Sequence, residues 1–235
     1  VRYRLLGDLH PKIKTKVSAS GRFFFAHSEL PEIVSILKRK LPSETSQILA
    51  RAEKICAHRF DLLGYESLDY GSKIDWHLDR VSGKQAPRKP WFQVRYLDYQ
   101  EVGDAKVIWE LNRHQHLVTL AKAYAISNDR RFVDEIVAQW YDWRAENPYP
   151  IGINWASSLE VSFRALSWLW VKRLAADSLP KGFQRDLIAM LGISARHLQR
   201  YLSTFFSPNT HLLGEGVGLF FTGVLCPELS SAHRW

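Results

Sequence analysis

Cysteine and long apolar runs are both scarce in this 235-residue sequence, and each shortage closes off a class of protein. Only Cys56 and Cys226 are present, far apart in the chain. A disulfide-stapled scaffold is excluded, and at most one bridge could form. No stretch of about eighteen uncharged apolar residues offers a bilayer span. The most apolar segment, Leu159 to Leu174, is interrupted by Glu160, Arg164, Lys172 and Arg173. A Gly-x-Ser-x-Gly nucleophile elbow, a Walker loop and a Rossmann glycine pattern are missing too, so hydrolase and nucleotide readings have no positive support. The opening VRYRLLGDLHPK lacks the apolar core of a signal peptide.

What is present is a chain 46% hydrophobic and 24% charged, enough to bury a large core. Its 32 lysines and arginines exceed 24 aspartates and glutamates, giving a net charge of +8. That surplus favours an anionic partner: nucleic acid, anionic lipid or acidic polysaccharide. Nine tryptophans, nine tyrosines and twelve phenylalanines supply both core and surfaces suited to stacking on sugars or bases. Lysine and arginine are scattered instead of gathered on one helix face, which argues against nucleic acid.

Two regions differ in texture. Residues 1–102 are mixed: a basic segment (Lys12, Lys14, Lys16), the phrase GRFFFAHSELPEIV, a helical pattern from Pro31 through Ala57, and a loop-rich stretch from Phe60 to Tyr99. Residues 103–235 read as a succession of helices with short links: Lys106 to Ile126, Arg130 to Glu146, Trp155 to Ala176, Lys181 to Thr204 and His211 to Leu225. The class is mostly α, with consecutive antiparallel helices as the default packing for such short links. Open bundle and closed ring fit this pattern equally.

Three segments carry polar groups that a plain helical core does not require. In Trp109-Glu110-Leu111-Asn112-Arg113-His114-Gln115-His116, Arg113 and Asn112 could hold a carboxylate beside a tryptophan, or Glu110 and His114 could simply pair along a solvated face. In Gly152-Ile153-Asn154-Trp155, Asn154 reads as a helix cap or a ligand to sugar, and Trp155 as core or stacking platform. Ser157 and Glu160 have capping-box spacing, while Glu160 and Arg164 have the spacing of a helix pair. In Ser207-Pro208-Asn209-Thr210-His211, a rigid turn delivers His211 to the first turn of a helix, an anion-friendly position, with Glu215 one turn later. His211 and Glu215 alone fall short of a metal site. Asp75, Asp79, Glu110 and Glu160 are carboxylates of the type a glycoside hydrolase pairs, but no spacing singles out two.

Together IDWHLD (Ile74 to Asp79), WELNRHQH (Trp109 to His116), NPYPIGINWASSLEVSFRALSWLW (Asn147 to Trp170) and SPNTHLLGEGVGLFFTG (Ser207 to Gly223) resemble the N-terminal part of the heparinase II/III-like polysaccharide lyases. The resemblance implies an incomplete (α/α) toroid of antiparallel helical hairpins with a loop-rich N-terminal region. It implies one continuous domain, followed in full-length members by a β-sandwich outside these residues. It further implies β-elimination on a uronate-containing glycan, no cofactor or metal, a periplasmic or secreted setting, and an acidic polysaccharide as partner. Asn209 and His211 would be catalytic, Asn209 by holding the uronate carboxylate. Trp76, Asn112, Arg113, His114, Asn154, Trp155, Glu160 and Glu215 would line the cleft. A second expectation is a module that binds acidic glycan without cleaving it.

Overall fold

The computed structural model describes residues 11–14, 23–205 and 208–235. Most of the opening segment, Lys16, Gly21, Arg22 and Ser207 lie outside the described residues.

The Pro31-to-Ala57 pattern resolves into two helices, α1 (Leu30–Lys40) and α2 (Pro42–Cys56). Proline clashes with a helical residue before it, so Leu41 leaves the helix at φ −132° and Pro42 opens the next. The stretch expected as ordered loop contains two small antiparallel hairpins, β1 (Arg59–Leu62) with β2 (Tyr65–Asp69), and β3 (Leu78–Asp79) with β4 (Lys84–Gln85). Leu63 and Gly64, both at positive φ, make the first turn. A short helix, α3 (Tyr99–Val102), follows.

The long helix expected over Lys106 to Ile126 is two: α4 (Ala105–Asn112) and α5 (Gln115–Ser127). The break is His114, held in the left-handed region at φ 58°. Such a conformation is costly for a non-glycine residue and persists because surrounding bonds fix it; here Trp168 Nε1 donates to His114 Nδ1 at 2.9 Å. Next come α6 (Arg130–Glu146), α7 (Ser158–Leu174), α8 (Lys181–Arg200) and α9 (Thr210–Leu225). Asp104, Asp129 and Asn209 cap α4, α6 and α9 by accepting from backbone N–H groups.

Helices α5 and α9 both pack against α7 and run parallel to it. At one end His114 meets Trp168 and Ser162 Oγ donates to the Gly214 carbonyl at 2.7 Å; further along, Tyr124 bonds Ser178 and Lys172 pairs with Glu228. Helices α6 and α8 form a second layer, joined by Trp140 against Phe183 and by Arg144 to Asp186 at 2.6 Å. This is the expected set of helical hairpins. Between the layers lies a core in which Trp140, Trp143, Trp155 and Trp168 are all fully buried.

The α7–α9 contact is close because Gly214 and Gly218 lie on one face of α9. A Cβ at Gly214 would stand 2.6 Å from Leu159 Cδ1, and one at Gly218 would collide with the Ser162 side chain and come within 3.2 Å of its Cα. Gly218→Ala is therefore expected to cost about 1–3 kcal/mol of unfolding free energy, as overpacked cores do. A urea midpoint equal to wild type would refute it.

Candidate functional site

Because α5, α7 and α9 are parallel, their N-terminal ends lie at one edge of the helical layers. Arg113 and His114 precede α5, Asn154 to Ser157 precede α7, and Asn209 caps α9. The three motifs singled out by sequence thus share an edge, but most of their side chains point inward.

Asn112, His114, Asn154 and Glu215 are 0% exposed, as is Trp155, and Trp76 is 1% exposed. They form a buried polar lattice instead of a sugar platform. Asn112 Nδ2 donates to the carbonyls of Trp76 (2.9 Å) and Ile108 (2.7 Å), while its Oδ1 accepts from Trp143 Nε1 (2.8 Å). Asn154 Nδ2 donates to the Trp76 carbonyl (3.1 Å) and to Asn147 Oδ1 (2.8 Å). Trp155 Nε1 donates to the Asn147 carbonyl, and Trp76 Nε1 to Asp142 at 2.8 Å. No ring face of Trp155 reaches solvent, so it cannot stack on a pyranose; Asn154 is not a helix cap. These side chains satisfy buried backbone groups that would otherwise cost about 1–3 kcal/mol each.

Glu160 corrects two further expectations. It makes no capping box with Ser157, which accepts nothing through its side chain, and it does not pair with Arg164. Both its oxygens hold Arg113, from Nε at 2.6 Å and Nη2 at 3.0 Å, and Glu110 takes Nη1 at 2.6 Å. Arg113 rests over Phe163 with its charge already opposed by two carboxylates. The trio carries a net −1, so Arg113 is not poised to neutralise a uronate. Nor does Glu110 pair with His114. Asp79 is equally committed: burial works against its ionisation, yet bonds from Ser82, Asp104 and Val81 outweigh this and hold its carboxyl below the usual range.

Glu215 accepts from the Ser203 N–H (2.7 Å) and hydroxyl (2.6 Å), anchoring the α8–α9 connection instead of meeting a ligand. Among the described residues no group of three or more His, Cys, Asp or Glu is placed to hold a metal ion. Both cysteines are free.

The residues left facing outward at this edge are Asn209, which is exposed, and His211, which is partly so. Asn209 Oδ1 lies 3.3 Å from both the backbone N and Nδ1 of His211. With Oδ1 occupied by these donors, the amide N–H₂ of Asn209 is unclaimed among the described residues. With Nδ1–H donating, Nε2 is left as the acceptor nitrogen of His211. An amide donor and an imidazole acceptor therefore stand together at a helix N-terminus, where a carboxylate is favoured.

Sequence reading missed His197 and Asn147, both buried partners of Trp155, and misread Arg164. A lone histidine within an amphipathic stripe gives no signal distinguishing it from a surface residue. Burial depresses the pKa of His197 to about 3, with Arg164 nearby adding to it, and that of His116 to about 3. His197 is packed among Tyr149, Tyr201, Trp91 and Trp155; His116 faces Trp76, Phe60 and His114. Both stay neutral in the fold while the unfolded chain takes up protons below about pH 6.5, so acid favours unfolding in the window from there to about pH 3. Between pH 6 and 5 the two together are expected to remove about 2–3 kcal/mol of stability. Flat urea midpoints across that interval would contradict the assignment.

A family model described as Heparinase II/III N-terminus matches residues 32–235. A heparin-sulfate lyase of Pedobacter heparinus is 29% identical over 192 residues, covering 78% of this chain and 25% of the relative. One from Bacteroides stercoris is 26% identical over 193 residues, covering 73% and 26%. The crystal structure of heparan sulfate lyase HepC from Pedobacter heparinus aligns with a TM-score of 0.64 at 24% identity, over 80% of this chain and 27% of that one, which bears on the fold. The chain spans about a quarter of the length of these curated relatives.

Proposed function

The chain belongs to the heparinase II/III family, whose N-terminal region it spans, and from that premise we propose that it is the glycan-holding helical portion of a secreted or periplasmic polysaccharide lyase acting on a uronate-containing polymer by β-elimination. The observation that carries the reading is the Asn209–His211 pair at the N-terminus of α9, with a free amide donor beside an imidazole acceptor.

Removing the C5 proton of a uronate builds negative charge next to an existing carboxylate. Stabilising charge that develops in the transition state is usually the largest catalytic contribution. The Asn209 amide and the α9 dipole supply it: the amide donates to a carboxylate oxygen, and the charge grows where the helix terminus is positive. In this reading Asn209 neutralises and His211 orients; proton abstraction and donation are not assigned to this chain. The Ser162–Gly214 bond holds α9 against α7, and the Glu110–Arg113–Glu160 trio ties α4 to α7.

The test is the ultraviolet absorbance of the unsaturated uronate product, followed while the whole protein acts on heparan sulfate, hyaluronan and alginate. Absorbance must rise with at least one polymer. If none shows it while binding persists, the protein holds acidic glycan without cleaving it.

A further inference from the structure

A second cavity lies away from Asn209 and His211, between α2, β1 and the start of α5, with a volume of about 300 Å³. Arg51, Lys54 and Ile55 reach it from one face of α2, at the i, i+3, i+4 spacing that aligns side chains on a helix. Arg59 borders it from β1, and Gln115 and Thr119 from α5. Phe60 and Leu62, both buried, close it at the base.

The charges at this cavity are unevenly committed. Arg59 is engaged with Asp69 at 3.2 Å, and Glu110 accepts from Arg113 in the trio already described. Asp61 accepts the Ser67 N–H at 2.8 Å and stands 3.9 Å from Lys54, a loose contact. Arg51 has no ion pair or hydrogen bond among the described residues. A guanidinium without a partner among the described residues, a weakly held ammonium, an amide and a hydroxyl around one cavity form a combination that sugar recognition uses, with cations set for an anionic substituent.

We propose that this cavity is a second subsite that holds an anionic sugar unit, Arg51 and Lys54 meeting its carboxylate or sulfate ester while Gln115 and Thr119 meet its hydroxyls. The proposal rests on the acidic-glycan reading given above. Through Glu110 the cavity adjoins the Arg113 trio.

The test measures binding of the whole protein to a heparin oligosaccharide and to a hyaluronan oligosaccharide of equal length, for wild type, Arg51→Gln and the Arg51→Gln/Lys54→Gln pair. Both residues are exposed, and circular dichroism confirms the fold of each variant. The expected result is about a tenfold loss of affinity in the double variant, with a weaker dependence on salt. A loss confined to heparin assigns the anion as a sulfate ester; a loss with both assigns it as the carboxylate they share. Affinities unchanged from wild type for both ligands overturn the subsite while leaving the lyase reading intact. If wild type binds neither oligosaccharide, the subsite falls, while the lyase reading stands or falls on the absorbance test with the three polymers. Inorganic sulfate competing as well as the oligosaccharide also overturns the proposal, since the cavity would then be a free-anion site.

Discussion

Arg164→Ala is expected to lower the unfolding free energy by about 3–5 kcal/mol, the range seen when a buried charge network is broken or a large core side chain is removed. Arg164 is fully buried, with its guanidinium 4.7 Å from the Trp143 ring centre, 5.2 Å from that of Trp155 and 5.9 Å from that of Trp168. Among the described residues no carboxylate pairs with it: Glu160, one turn earlier, is taken by Arg113. Its polar partners are the carbonyls of Asn112, 3.2 Å from Nη1, and Asn154, 2.9 Å from Nη2. Burial accordingly presses its pKa down to about 9, with Glu160 working the other way. Two carbonyls and three aromatic faces thus stand in for the solvation that the cation lost. Alanine would leave both carbonyls unpaired and a cavity at the centre of the tryptophan cluster. Arg164→Met separates these costs, because it fills most of the volume yet supplies no donor; it should recover part of the loss. Urea unfolding followed by tryptophan fluorescence reports both variants, and a loss under about 1 kcal/mol in Arg164→Ala would show that the cluster closes up without its cation.

This arginine shows where sequence reading succeeded and where it stopped. Apolar stripes placed α6, α8 and α9 within a few residues of their observed ends, since a helix that buries one face must repeat its apolar positions. The break between α4 and α5 left no trace, because one histidine in a left-handed conformation does not disturb the stripe around it. The site was harder. Tryptophan and asparagine combine apolar or planar surface with hydrogen-bonding groups, and the same letters serve a sugar in a cleft or a carbonyl in a core. Trp155, Asn154 and Asn112 proved to be the second kind. A signal was available in the recurrence of asparagine beside tryptophan at Asn112, Asn147 and Asn154, three uncharged side chains able to donate and accept at once, as buried backbone requires. Asn209 differs in lying after a proline at a helix start, outside any apolar stripe, and it is the one that faces outward.

That difference makes Asn209→Asp the sharpest test of the proposed chemistry. Aspartate is as good a helix cap as asparagine, so its Oδ1 can still accept from the His211 N–H and α9 should begin where it does now. What changes is the other half of the side chain: an amide that donates becomes an oxygen that repels a uronate carboxylate. In the whole protein, turnover on the preferred uronate polymer is expected to fall about 10²–10³-fold, the scale set by removing one donor from a preorganised anion-stabilising site, while the urea midpoint stays at the wild-type value. Asn209→Ala should lose comparable turnover and in addition about 1 kcal/mol of stability with the cap. His211→Ala should cost less than either asparagine variant if its task is to orient the amide, and as much if it also takes part in proton transfer. Wild-type turnover in Asn209→Asp would remove the carboxylate from this end of α9. The lyase reading would then need a different anion-holding group, and the cavity bordered by Arg51 and Lys54 is the next to test.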